Sequence, residues 1–332
     1  MNIGRLSGSA CAAPFPVYRG VVDEFLAAHA DDASARNATV AHVLAVCAGY
    51  AYSDTSTVAM MMSRLGFNPG ACVRVAQTVD AMTIFSTAYL VQSRCGRVVI
   101  LAYRGTEPAN IGNWLADADV GSAAMKCGDD SLRVHAGFHR NMRATRWQVI
   151  EELRKAAAGK SLLDEERSVE QPMQALYVTG HSLGGAMAVL FALSIAADDS
   201  TRDMAGRLRA IYTFGQPLTV GETLPPRVAA IGEKTFRHVS ARDVIPALPA
   251  AAWGRLTRFG HEYRNAGGEW RLADAAVEQL QNLRELPRSI FAAFELVARK
   301  KPSRYSLADH RPHEYIGLLR PPGRLSELGD DV

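Results

Sequence analysis

The sequence predicts an α/β fold with a mostly parallel central sheet and flanking helices. Two observations predict this class. After residue 135, short apolar runs alternate with segments of helical periodicity, the pattern expected where crossover helices join parallel strands. Before that point, strand-like runs at residues 83–91 and 98–103 are separated by Arg-Cys-Gly-Arg at 94–97. This arrangement predicts an antiparallel hairpin leading into the sheet.

The composition is that of an ordinary globular protein. The 332 residues are 48% hydrophobic and 21% charged, which is enough to bury one large core. We predict an irregular N-terminal arm at residues 1–34 and one α/β domain at residues 35–332. The net charge of +3 comes from interspersed basic and acidic residues, so nothing predicts binding to nucleic acid.

Motifs for metals, phosphates and membrane spans are missing from the sequence. The five cysteines are scattered, with no Cys-x-x-Cys pair and no cluster at metal-ligand spacing. There is no glycine-rich phosphate loop, so no cofactor is predicted. The N-terminus lacks an apolar segment behind a basic start, and no apolar run approaches ~18 residues. We expect a cytoplasmic protein or one exported by a leaderless route, with any membrane contact peripheral.

The N-terminal half is predicted from its apolar spacing. Apolar residues three and four apart indicate helices, and Asn37 or Thr39 can cap the longer of the first two. Residues between the hairpin and position 135 are expected to be irregular. The predicted elements are helices at 21–28 and 36–64, a strand at 73–79, the hairpin, a helix at 135–158 and a surface loop at 159–171.

The C-terminal half continues the alternation and then breaks it. Two apolar helical patterns, divided by Pro287, predict a helical insertion at about 273–304. The other predicted elements are a strand at 175–179, a helix at 183–197, strands at 208–214 and 234–240 with a short helix between them, a strand pair at 255–263 and 269–272, and a final helix at 314–319.

Gly180-His181-Ser182-Leu183-Gly184 carries the clearest chemical signal. A buried strand leads into it and a helix of small residues leaves it. Ser182 would therefore sit on a sharp turn, where the flanking glycines avoid Cβ clashes. The turn would place Oγ at a helix N-terminus, where the N–H of Leu183 can stabilise negative charge. We interpret Ser182 as a nucleophile and His181 as a structural residue.

Six further segments follow one another in order along residues 36–320. They are YRGT at 103–106, NWLAD at 113–117, VHAGF at 134–138, FGQP at 214–217, DVIP at 243–246, and Asp309-His310 with Tyr315. They resemble motifs of the class 3 lipase family, the fungal triacylglycerol lipases and their bacterial and plant relatives. In that family the first, second, fifth and sixth are the oxyanion loop, the lid, the triad acid and the triad histidine. The resemblance implies an α/β-hydrolase fold and hydrolysis of lipid esters by a serine nucleophile.

A serine hydroxyl needs a base within hydrogen-bond reach, and the imidazole needs a group that orients it. We assign the base to His310, which matches the resemblance, with His313 and His261 as the alternatives. We assign the acid to Asp243, because it follows a buried strand at the sheet edge where α/β sites gather. The order serine, acid, histidine is that of α/β hydrolases. The acidic residues at 198, 199 and 203 are interpreted as solvated loop.

The tetrahedral oxyanion needs two donors. We predict the N–H groups of Leu183 and Thr106 in this role. Trp114 and Leu115 are interpreted as a short amphipathic lid that turns outward on lipid; the alternative is a fixed helix that plugs the core. The basic stretch at 299–304, which follows two apolar helical patterns, either rests on anionic lipid or is a solvated helix end.

Together these features predict a serine carboxylic-ester hydrolase that acts on lipid esters, a lipase or phospholipase, through an acyl-enzyme. A lipid or other ester is the expected partner, and peripheral contact with a membrane or lipid interface is left open. The alternatives are a general carboxylesterase or thioesterase, a serine peptidase on the same fold, or a catalytically silent binding relative.

Overall fold

The computed structural model describes residues 15–30, 32, 35–106, 121–247, 256–273 and 306–330. Structural statements below concern these residues. Trp114 and Leu115 of the predicted lid lie outside them, as do the predicted insertion from residue 274 onward and the basic stretch.

Strands and helices alternate through most of the described chain. The strands are β1 (Pro69–Val79), β2 (Ile84–Ser93), β3 (Val98–Tyr103), β4 (Ser122–Cys127), β5 (Asp130–His135), β6 (Ala175–His181), β7 (Leu208–Phe214), β8 (Val220–Gly221), β9 (Thr235–Val239), β10 (Leu256–Thr257), β11 (His261–Ala266) and β12 (Glu269–Leu272). The helices are α1 (Val21–Ala27), α2 (Ala38–Tyr50), α3 (Thr55–Arg64), α4 (Ala136–Ala157), α5 (Leu183–Ala197), α6 (Arg202–Arg207), α7 (Pro226–Glu233) and α8 (Pro312–Leu319).

An eight-stranded sheet forms the centre of the fold. Its strand order is β1-β2-β3-β6-β7-β9-β11-β12. The five strands from β3 to β11 are parallel neighbours, whereas β1, β2 and β12 pair antiparallel at the ends. The predicted fold class, a mostly parallel sheet with flanking helices, is therefore confirmed, and so is the hairpin between β2 and β3.

A second, antiparallel sheet has the order β10-β8-β5-β4. The irregular segment predicted before residue 135 was wrong in part, because β4 and β5 form a hairpin there. Met125 and Leu132 point inward from this hairpin and are buried. The single strand predicted at 255–263 was also wrong, since β10 belongs to this sheet and β11 to the central one. Both errors involve pairing with β8, a partner that local sequence does not reveal.

The helical region predicted at 36–64 is two helices. Asn37 begins the first, where its side chain accepts a hydrogen bond from the N–H of Val40 at 2.9 Å. Asp54 begins the second in the same way, accepting from the N–H of Thr57 at 2.8 Å. The side chain of Asp54 satisfies an N–H that has no helical partner, so this residue starts a new helix and does not continue the preceding one.

Helices cover both faces of the central sheet. The first core lies between the sheet and helices α4 and α5, and the second between the sheet and helices α1, α2, α3 and α8. α5 is buried along almost its whole length, which explains why its sequence is apolar on all sides. Phe25 of α1 is fully buried in the second core. The domain boundary drawn after residue 34 stays a prediction.

No single helix in the described part of the chain is both long and apolar enough to cross a membrane. By length and composition alone, the bent pair Leu183–Ala197 and Asp199–Arg207 passes such a test together, with an angle of 105° between its helices.

The carboxyl ends of the parallel strands meet at one edge of the central sheet. Ser182 follows β6, Gly215 follows β7 and Asp243 comes soon after β9. Three turns separated in sequence are thereby brought to one place, as parallel strand topology requires.

Candidate active site

Ser182 lies on the sharp turn between β6 and α5. Its backbone has φ 57° and ψ −129°, a conformation that costs free energy for a residue with a side chain. The turn is held by the N–H of Ser182, which donates to the carbonyl of Phe214 at 2.9 Å. It is also tight, because a Cβ on Gly184 would overlap the carbonyl of Tyr103. The predicted strand-turn-helix context of the motif is therefore present.

Three side chains that are distant in sequence form one hydrogen-bonded chain. Ser182 Oγ lies 2.9 Å from His310 Nε2, and His310 Nδ1 lies 2.8 Å from Asp243 Oδ2. Because a carboxylate only accepts, Nδ1 carries the imidazole proton and Nε2 is left to accept from the serine hydroxyl. All three residues are buried. The structure thus brings together the three residues chosen as nucleophile, base and acid.

Asp243 accepts further hydrogen bonds that hold it in place. Its Oδ1 accepts from the N–H of Ile245 at 2.9 Å, and its Oδ2 accepts from the hydroxyl of Tyr315 at 2.6 Å. The same hydroxyl accepts from the N–H of Ser240 at 3.1 Å. Burial, reinforced by the charge of Asp243, raises the pKa of Tyr315 well above its ordinary value. The phenol therefore stays protonated and donates to Asp243.

Gly215 forms the wall behind the histidine and the aspartate. It has φ 60°, and its N–H donates to the carbonyl of His238 at 3.0 Å. A Cβ at this position would stand 2.8 Å from Nδ1 of His310 and 2.9 Å from Oδ2 of Asp243. Glycine is needed here because both the backbone conformation and the close approach exclude a side chain.

His181 holds the main chain of His310 in place. Its Nε2 donates to the main-chain carbonyl of His310 at 2.6 Å, which leaves Nδ1 to accept from the hydroxyl of Tyr52 at 2.9 Å. Burial, with the neighbouring His310, lowers the pKa of His181 well below its ordinary value. A neutral ring in this tautomer fits the structural role expected from the sequence.

The segment at 103–106 lies directly beside the serine. A Cβ on Gly105 would overlap the hydroxyl of Tyr52 and the carbonyl of His181, so only glycine fits here, and it would stand 3.3 Å from Cβ of Ser182. Thr106, the next residue, is the last one described before position 121. On the other side, Leu183 is the first residue of α5, so its N–H is among those that no helical carbonyl can accept. Leu183 and the residue before Thr106 therefore lie next to Ser182, and the oxyanion role of the two N–H groups stays a prediction.

The alternative bases lie elsewhere. His261 is on β11, with Nε2 3.4 Å from a carboxylate oxygen of Glu233. His313 is on α8, where its side chain is 67% exposed and 3.3 Å from Glu314. Among the alternative acids, Asp198 pairs with Arg146 at 2.9 Å. His310 is the imidazole within hydrogen-bond distance of Ser182.

Three supporting residues were missed when roles were assigned from sequence. Tyr315 was noted only as a part of the triad-histidine segment, and Gly215 only as part of FGQP. For Tyr315 the available signal was its position on the helix that follows His310. No comparable signal marked Arg237, a fully buried arginine on β9, because its partners lie on other strands and loops.

The strained serine at a strand-to-helix turn, the parallel sheet and the order serine, aspartate, histidine define the α/β-hydrolase class. Solved lipase structures share this fold. The lipase of Rhizopus microsporus var. chinensis aligns with a TM-score of 0.56 at 17% identity, over 93% of this chain and 96% of that chain. The family described as Lipase (class 3) matches residues 100–253. The matched segment is somewhat less than half of the chain, and over it the chain is similar to the class 3 lipase family.

Curated relatives come from plants and fungi. The triacylglycerol lipase OBL1 of Ricinus communis is 27% identical over 209 residues, covering 51% of this chain and 38% of its own length. A chloroplastic phospholipase A1-Igamma2 of Arabidopsis thaliana is 28% identical over 173 residues, covering 48% of this chain and 32% of its own length. The similarity thus spans about a third to two fifths of these relatives.

Proposed function

We propose that this protein hydrolyses carboxylic ester bonds of lipids through an acyl-enzyme on Ser182. The observation that carries the proposal is the hydrogen-bonded chain from Ser182 through His310 to Asp243, at 2.9 and 2.8 Å. This arrangement suits a hydroxyl that must lose its proton at the moment of attack. The names of the relatives, which include a triacylglycerol lipase and a phospholipase A1, support lipid esters as the substrate class.

In the first half of the reaction, Ser182 Oγ bonds to the ester carbonyl carbon and its proton passes to His310 Nε2. Asp243, which accepts from Nδ1, offsets the imidazolium charge. The N–H groups of Leu183 and Thr106 stabilise the oxyanion. The bond from the carbonyl carbon to the alcohol oxygen then breaks, and the leaving alcohol takes the proton from Nε2.

In the second half, His310 Nε2 takes a proton from water, and the water oxygen attacks the acyl-enzyme. Collapse of this second tetrahedral intermediate breaks the bond to Oγ, and the proton returns to Oγ from Nε2. The products are a carboxylic acid and a free enzyme in its starting protonation state.

Peripheral contact with a lipid interface is part of the proposal. Support comes from two exposed apolar side chains at the edge of the sheet that carries Ser182: Met82 is 55% exposed and Phe85 54%. Apolar groups exposed at a site edge are typical of surfaces that touch lipid. The lid role of Trp114 and Leu115 and the cytoplasmic or leaderless location remain proposals from the sequence.

The test is covalent labelling combined with product analysis. A fluorophosphonate labels the wild type at Ser182, and Ser182→Ala loses both the label and at least ~10⁴-fold of the ester hydrolysis rate. The matched control is Ser194→Ala, which removes another buried serine on the same helix and keeps the label. A panel of short and long p-nitrophenyl esters, triacylglycerol emulsion, phospholipid vesicles and peptides then separates lipase, phospholipase, esterase and peptidase. A label that survives Ser182→Ala, or a wild type that takes no label, overturns the proposal.

A further inference from the structure

Among the residues that the structure describes, Arg237 is one of the largest fully buried side chains, and the reaction described above makes no use of it. Only 1% of it is accessible to solvent. It lies on β9, where its neighbours in the register are Thr213 of β7 and Glu262 of β11. A buried guanidinium is costly unless each end of its fork finds a partner. Its partners therefore indicate why it is there.

One nitrogen of the fork is held by a carboxylate. Nη1 donates to Glu262 Oε2 at 2.6 Å, and Glu262 is itself held by Arg264 at 2.8 Å. Burial opposes ionisation of Glu262, but the surrounding arginines outweigh it and lower the pKa of this carboxyl below its ordinary value. Burial also opposes ionisation of Arg237 and lowers its pKa, and the negative charge of Glu262 acts against this shift. The pair is anchored and ionised.

The other nitrogen of the fork reaches two loops of the active site. Nη2 donates to the carbonyl of Gln216 at 2.7 Å and to the carbonyl of Pro246 at 3.2 Å. Gln216 directly follows Gly215, the wall behind the histidine and the aspartate. Pro246 lies three residues after Asp243, at the end of the loop that carries it. One rigid group thus joins the loop that carries Asp243 to the turn at Gly215, which packs against both Asp243 and His310.

We propose that Arg237 is a positioning residue, whose buried guanidinium fixes the spacing between the Gly215 turn and the Asp243 loop. The inference rests on the proposed function, since it concerns the geometry of the same serine, histidine and aspartate. The planar fork suits this task because its donors have fixed directions, whereas a lysine ammonium is a single point on a flexible stem. The negative charge of Glu262 balances the charge of the guanidinium. The hydrogen bonds to the carbonyls of Gln216 and Pro246 hold these two backbone segments in position.

Two substitutions separate positioning from simple stabilisation. Arg237→Lys keeps the charge and loses the fork. Glu262→Gln weakens the ion pair but leaves Arg237 in contact with Gln216 and Pro246, so it is the matched control. Both variants are expected to lose stability. We expect Arg237→Lys to lower kcat on a soluble p-nitrophenyl ester by 10- to 100-fold, the scale of a small displacement in a catalytic group. KM stays within about twofold of wild type, and Glu262→Gln keeps kcat within about threefold.

The measurements are kcat, KM and the rate of fluorophosphonate labelling, at a temperature where each variant is folded by circular dichroism. If Arg237→Lys does not fold, the double variant Arg237→Gln/Glu262→Gln, which buries no charge at this pair, is compared with Glu262→Gln in the same way. Equal kcat for the arginine and glutamate variants overturns the inference while the wild type remains an active hydrolase. An inactive and unlabelled wild type overturns the proposed function instead.

Discussion

At the residue scale, the site depends on short contacts around a few polar atoms. Asp243 Oδ2 accepts from both His310 and Tyr315, so the carboxylate is fixed from two directions. The main chain of His310 is held in turn by His181. The types of the reacting residues were evident from sequence because their chemistry is specific. The supporting residues were not, because tyrosine, glycine and arginine serve many purposes elsewhere in a protein.

Tyr315→Phe tests the support of the acid. The change removes a donor to Asp243 and leaves the buried N–H of Ser240 without its acceptor at 3.1 Å. We expect kcat on a soluble ester to fall about tenfold at unchanged KM, and the free energy of unfolding to fall by about 1–3 kcal/mol. Steady-state kinetics and urea denaturation measure the two effects. A stability loss of this size with wild-type kcat would show that Tyr315 holds the fold but not the reacting geometry.

At the element scale, the connection between β1 and β2 carries the two exposed apolar side chains on which the proposed lipid contact rests. We call this connection, with Met82 and Phe85, the rim hairpin. Ala88 of β2 pairs with Tyr103 at the end of β3, so the rim hairpin extends past the edge of the sheet that carries Ser182. Its backbone is fixed by Asn141 of α4, whose side chain accepts from the N–H of Phe85 at 2.8 Å and donates to the carbonyl of Thr83 at 3.2 Å.

Charge near the rim hairpin favours an anionic surface. Arg140 donates from Nη1 to the carbonyl of Met82 at 3.4 Å, and Arg143 is exposed one turn further along α4. Asp80 is the opposing charge at the tip. We therefore propose that the rim hairpin makes the lipid contact. Its two exposed apolar side chains and two neighbouring cations are held on a braced backbone, so binding costs little conformational entropy.

Phe85→Ser is expected to weaken binding to vesicles of mixed phosphatidylglycerol and phosphatidylcholine about tenfold, since burial of such a ring contributes about 1.5–3 kcal/mol. Hydrolysis of a soluble ester stays unchanged. Trp147→Ser is the matched control: Trp147 is 52% exposed but lies six residues, ~9 Å along α4, from Asn141. Vesicle sedimentation gives the affinities. An equal loss for both variants would contradict a role for the rim hairpin.

At the scale of the whole molecule, the second core contains neutral histidines. His42 is fully buried and 2.8 Å from the hydroxyl of Tyr18. Burial, with Arg320 nearby, lowers its pKa from 6.5 to about 4. In this range the unfolded chain binds a proton that the folded protein does not, so stability falls as the pH drops. The contribution of His42 is complete above pH 6.5 and lost by about pH 4.

His42→Gln tests this linkage. The free energy of unfolding of the wild type is expected to decline more steeply than that of the variant between pH 6.5 and pH 4. The difference in slope corresponds to about one proton, or about 3 kcal/mol across the window. Urea denaturation at several pH values measures both curves. Taking their difference removes the contribution of the carboxylates that the two proteins share. Parallel curves would show that the pKa of His42 is the same in the folded and the unfolded protein.

Local sequence by itself determined the alternation of strands and helices, the turn at Ser182 and the types of the reacting residues. Periodicity, glycine positions and side-chain chemistry are properties of neighbours along the chain. Tertiary structure alone decided that β4, β5, β8 and β10 form their own sheet and that Arg237 spans two loops. Each depends on contacts between groups that are distant in sequence. These polar groups need a partner within the protein only because folding removes them from water.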